Sequence, residues 1–238
     1  LFSINNDVGK LYVSPSQRIM VQIGKYSEHL IFSGIIEDAA MVCVGENKPE
    51  IDSIKHGEIV ESSGEKLAAR FEEPYIKIIN TVSGKCLMKV EAKRICAPLF
   101  GFFGNDQQLI VYYDEIRMVE IWDLKTRGRL VSQNVNIGGI YKTELIIDPK
   151  GEFFAVNSDK SVYCVDDRHG WYSPELVVFY VDDEMQIYPY AVVPYGEVDF
   201  KKRNIYCRSL SDGVYYKSPF YTFAELKNRA EVLIDEFT

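Results

Sequence analysis

Ile76, Val119, Val162 and Ile205 follow one another at intervals of 43 residues, and this register constrains the chain more than any other feature it carries. Two places further on, Ile78, Ile121, Cys164 and Cys207 recur, as they must if each segment is an extended strand presenting alternate residues to one face. Upstream, Leu67, Ile110 and Phe153 hold a common register inside the apolar runs 66–70, 108–112 and 152–156, which read as short buried strands. Downstream, Gly84, Gly128, Gly170 and Gly213 fall at or within one residue of the same place, where a hairpin turn needs positive φ. One unit therefore runs strand, turn, strand, short charged loop, strand, glycine turn, strand. A sheet made this way is apolar on both faces, so it buries them only by stacking against its neighbours.

Two stretches sharpen the pattern: Tyr75 to Leu87, and Val119 to Leu130 with its Trp122-Asp123 pair. Both resemble the third strand and following turn of WD40 repeats, and Asp148 to Tyr163 resembles the stretch before them. The resemblance implies an all-β fold, a β-propeller of four-stranded antiparallel blades with about five to six blade-sized units. It also implies that Asp166, at the register position of Asp123, is structural. The chain departs from the family at its histidines: His29, His56 and His169 are not where the blade-tying histidine belongs, so the repeats are degenerate.

Recognisable repeats cover residues 58–216 of a domain expected over 1–219. Residues 1–57 hold strand-like runs at 10–13, 18–23, 29–32 and 39–44 outside the register and read as divergent blades. The segment 176–200 also reads as irregular, and Pro189 and Pro194 restrict it to edge or loop positions. After Pro219 the period changes. Phe223, Leu226, Ala230, Leu233, Ile234 and Phe237 share one helical face behind a Thr222/Glu225 capping box, which predicts a C-terminal α-helix over 220–238, packed on the last blade or docking on a partner. Because the chain begins at Leu1, a complete propeller and a piece of something longer both stay open.

Hydrophobic residues at 47 % and charged residues at 26 % suit a globular domain with a sizeable core. A net charge of −8 argues against general nucleic-acid binding, and no apolar run approaches a membrane span. Cys43, Cys86, Cys96, Cys164 and Cys207 have no paired spacing and read as small buried hydrophobes, which favours an intracellular, cytoplasmic setting.

No phosphate-binding glycine loop, nucleophile elbow or zinc-protease motif appears, and no cofactor is implied. Three dispersed histidines do not suggest a metal site. The carboxylate groups Asp114-Glu115, Asp166-Asp167 and Asp182-Asp183-Glu184 keep a second reading open, a propeller hydrolase or lyase using channel-facing acids, and a sensor or regulatory domain of a longer enzyme is a third. The leading expectation is a non-enzymatic scaffold for a protein or peptide partner. In the family the loops joining second and third strands emerge on one face, and the register places them at 72–75, 114–117, 158–160 and 200–203. Their candidate contacts are Glu73, Tyr75, Asp114, Arg117, Lys160, Lys202 and Arg203, with Tyr75, Arg117 and Arg203 of the residue types that anchor interfaces. The proline-broken run holding Tyr188, Tyr190 and Tyr195 is a second candidate, an aromatic groove.

Overall fold

The computed structural model describes residues 8–13, 19–23, 31–35, 42–45, 49–55, 57–93, 97–135, 141–166, 169–194, 196–208, 215–221, 225 and 228. The chain divides into two compact units, Leu1–Asn47 with Arg203–Thr238, and Lys48–Lys202. The regular structure described is β throughout, apart from helical Glu225 and Asn228; the other residues of the predicted helix beyond Tyr221 lie outside the described residues.

The first unit contains the antiparallel sheet β1 (Val8–Val13), β2 (Ile19–Ile23) and β3 (Ile31–Ile35), followed by β4 (Val42–Gly45), so all four strand-like runs of the front end form strands. β4 does not join β1–β3.

In the second unit, β5 (Val60–Glu61), β6 (Leu67–Glu72), β7 (Tyr75–Asn80) and β8 (Cys86–Glu91) form one antiparallel meander. β9 (Leu99–Phe103), β10 (Gln108–Tyr113), β11 (Met118–Asp123) and β12 (Arg129–Asn134) form the next. A third contains β13 (Tyr141–Ile147), β14 (Phe153–Asp166), β15 (His169–Val181) and β16 (Ile187–Pro194). β17 (Gly196–Asp199) follows, and the next turn brings Phe200 against Phe153 with ring centroids 6.2 Å apart. Returning to the first unit, β18 (Asn204–Arg208) and β19 (Tyr215–Pro219) form a hairpin whose β19 pairs with β4, Lys217 opposite Val42 and Tyr216 opposite Cys43.

The period of two along each strand explains why the meanders stack. On β9–β12, Phe103, Ile110, Tyr112, Val119 and Ile121 pack toward Leu145, Phe154, Val156 and Phe179 of the third meander. Phe100, Leu109, Val111, Tyr113 and Met118 point the other way, onto Ile76, Ile78, Met88 and Val90 of the first. Both faces of β9–β11 are thus buried, with the outer β12 largely exposed, and each large apolar side chain removed from water contributes roughly 1.5–3 kcal/mol. The first strands approach one another at Gly101: a Cβ there would lie 2.5 Å from Ile147 Cδ1 and 2.6 Å from Ile54 Cδ1. Ile54 reaches this place by bridging Leu145, exchanging backbone hydrogen bonds of 2.8 and 3.1 Å.

Hydrogen bonds repeat with the sequence register. The carbonyls of Pro74, Arg117 and Arg203 each precede the strand that carries Ile76, Val119 or Ile205, and each accepts the N–H of the residue just beyond the next strand, Ala92, Val135 and Phe220, at 2.8, 2.8 and 3.1 Å. Asn80 and Asp123 likewise play one part: each side-chain oxygen accepts the N–H three residues on, from Ser83 at 2.8 Å and Thr126 at 2.9 Å. Gly84 takes the left-handed conformation in the first of these turns, whereas in the second it falls to Arg127, at φ 60, and not to Gly128.

The third meander corrects the sequence reading. Residues 158–160 are not a loop, and Val162 is not on a third strand of the packed sheet. β14 runs on through them for 14 residues, with a register shift between Ser158 and Ser161, and pairs along its whole length with β15. The third strand of the sheet is the second half of β15, with Phe154 opposite Phe179 and Val156 opposite Val177. Residues 159–166 and 169–175 form a two-stranded arm, the connection of second to third strand drawn out into a hairpin. Asp182, not Asp166, accordingly takes the part of Asp123: its carboxylate accepts the N–H of Gln186 at 2.7 Å, and its own N–H donates to the Gln186 carbonyl. Within 176–200 the described residues form the end of β15, β16 and β17 rather than an irregular stretch, and the prolines sit on β16, an edge strand of its sheet, as expected. Cys86 is exposed rather than buried, because a shift between Ile78 and Ile79 takes it out of alternation with Met88 and Val90.

Candidate functional site

The two ends of the second unit are distinguished by which turns they carry. At one end the turns joining first to second strands touch in sequence. Ser63 donates its hydroxyl to Asp106 at 2.5 Å, 43 residues on, and Asn105 donates its N–H to the Pro149 carbonyl at 2.7 Å. Gly151 lies so close to Gly104 that an added Cβ would stand 2.5 Å from its Cα. These contacts fix the end that carries structural turns. Antiparallel order puts the connections of second to third strands at the other end: the turn 72–75, the turn 114–117, and the arm 159–175.

The candidate residues at that second end differ in what already holds them. Glu73 is exposed beside Pro74, to which it is joined by a cis peptide bond. Tyr75 is half-buried, with the Lys89 ammonium 5.8 Å from its ring centroid. Nearby, Glu72 is bonded to Lys77, which holds its carboxyl below the ordinary range. Asp114 is committed to the frame, because the buried Thr143 of β13 donates its hydroxyl to it at 2.6 Å and Tyr112 donates at 3.3 Å. Arg117 closes the turn at φ 50 through its backbone, and its side chain has no hydrogen bond or ion pair among the described residues. Glu73 has none either. Lys160 lies at the base of the arm, its backbone opposite Tyr141 of β13.

The last predicted loop, 200–203, is the turn from β17 to β18, the first two strands of their run rather than the second and third, and its two predicted contacts are engaged. Lys202 is exposed and paired with Asp199 at 3.3 Å. Arg203, in the other unit, donates both guanidinium branches to Glu225, at 2.9 and 2.5 Å, with its centre 5.8 Å from the Phe220 ring. A bidentate pair of this kind must open before Arg203 can serve a partner. Lys201 of the same turn pairs with Asp52 at 2.7 Å; the bond lowers the aspartate and raises the lysine from their ordinary ranges.

The aromatic candidates separate in the same way. Tyr190 is half-buried, its ring edge-on to Phe153 at 5.2 Å, so it belongs to the packing. Tyr188 is 38 % exposed, and partial burial first, then Asp182, pushes its hydroxyl above the usual tyrosine range. Tyr195 lies outside the described residues.

Sequence reading missed one buried charge altogether. Glu120, on β11 and 1 % exposed, accepts hydrogen bonds from Arg129 at 3.0 Å, Trp122 Nε1 at 3.2 Å, and Tyr113 and Ser132 at 3.5 Å, with Lys93 at 3.6 Å. The signal was a carboxylate in the otherwise apolar run Met118-Val-Glu-Ile-Trp122, nine residues before an arginine. This cluster gives Trp122 its partner within the sheet. Asp123 does something separate: the Thr126 N–H, then Lys125, hold its carboxyl below the ordinary range as it closes the turn. Among the described residues no three His, Cys, Asp or Glu side chains are placed to share a metal ion.

No protein-family model matches the chain, and no curated protein matches it. Among solved structures it is similar to a chain of "Crystal Structure of Mitotic Checkpoint Complex", with a TM-score of 0.46 and 10 % identity over 90 % of this chain and 74 % of that one. A likeness at that level adds nothing to the strand pairings above.

Proposed function

We propose that this chain is a non-enzymatic scaffold for protein–protein interaction: a WD40-like propeller over residues 1–219, followed by a helix, that offers the connections between second and third strands to a protein or peptide partner. The observation that carries the reading is the repeated bond behind those connections, from Pro74 to Ala92 and from Arg117 to Val135, which holds each loop on a fixed frame while leaving its tip free to vary. The approach of the first strands supports the scaffold over the hydrolase, since Ile54 and Ile147 close over Gly101 where a channel-facing acid would need room. Two of the tempting carboxylates have structural work, Asp114 on Thr143 and Asp182 in its turn.

Glu73 and Arg117 are the contacts to test, because their substitution breaks no bond of the frame. Charge reversal at both, Glu73→Lys with Arg117→Glu, is expected to remove specific partners from a quantitative cross-linking and capture experiment in source cells, with circular dichroism unchanged. An identical partner set with the fold intact would overturn the assignment of this end. Recovery of a hydrolytic activity abolished by Glu144→Gln, a carboxylate 27 % exposed beside Lys55 on β13, would overturn the scaffold itself.

A further inference from the structure

We draw no further inference here: the strongest candidate, the two-stranded arm in which residues 161–166 and 169–173 carry β14 and β15 beyond β13 and β16, has no neighbouring strand among the described residues and nothing in the structure shows what covers it.

Discussion

Replacing Gly151 by alanine probes the stacking of one sheet on the next at a single atom. Gly151 has φ +91, outside the range that alanine adopts without strain, which costs about 1–2 kcal/mol. The new Cβ would also stand 2.5 Å from the Cα and 2.8 Å from the N of Gly104, backbone atoms that cannot rotate away. Forcing them apart costs a further ~1–3 kcal/mol, as overpacking in a filled interior does. Reduced freedom of the unfolded chain returns about 0.4–1 kcal/mol. The net loss is then roughly 2–4 kcal/mol, and at about 2–4 °C per kcal/mol for a chain of this size the melting temperature falls by around 4–16 °C. Gly84→Ala is the matched control. Gly84 has φ +66 but nothing within 4 Å of an added Cβ, so it carries the backbone strain without the collision. Thermal unfolding followed by near-ultraviolet circular dichroism on both variants isolates the contact. If Gly151→Ala melts at or above the temperature of Gly84→Ala, the turns at 104 and 151 are not in contact and the stacking is wrong.

Two further substitutions test the interior and the repeat. Glu120→Ala removes the acceptor of the buried Tyr113 hydroxyl and the half-buried Trp122 N–H, while Arg129 and Lys93 are exposed enough to be hydrated, and is expected to lose about 1–3 kcal/mol in urea unfolding, whereas an exposed ion pair would lose under ~1 kcal/mol. Asp182→Ala removes the side chain that closes the turn to β16 and is expected to cost about 0.5–2 kcal/mol, by analogy with a lost helix cap, while Asp166→Ala leaves the melting temperature unchanged; the reverse order would restore the simple 43-residue register.

Much of the architecture was legible because it is written in alternation. Leu67, Ile110 and Phe153 fall on second strands, and the apolar faces of β10 and β11 are the core as their sequence requires. What misled was a coincidence. Val162-Tyr-Cys-Val-Asp166 followed by His169-Gly170 copies the apolar strand, acid and glycine turn of Ile121 and Asp123 at the right spacing, yet it is an arm hairpin, because β14 crosses the polar stretch 157–161 as strand, with a register shift but no reversal, and pairs with β15 on both sides of it. The surface was less legible than the fold. Glu73 and Arg117 are at the tips where the register put them, but Asp114 and Arg203 are held by Thr143 and Glu225, partners 29 and 22 residues away that no local pattern points to. Exposure follows from the strand period, whereas the partner of a charged side chain depends on which element folding brings beside it.

The arm is where the sequence register and the structure disagree most plainly, and deleting it decides between them. Ser158 and Glu175 face each other at its base, so residues 160–173 can be replaced by a two-residue turn without breaking the pairing of Phe153–Ser158 with Glu175–Tyr180. If the arm is an extended connection on a complete sheet, the shortened protein unfolds cooperatively within about 3 °C of the parent, as changes away from a packed core do. If Val162 to Cys164 were instead a buried third strand, the same deletion would remove the middle of a blade, and loss of the cooperative transition would contradict the account.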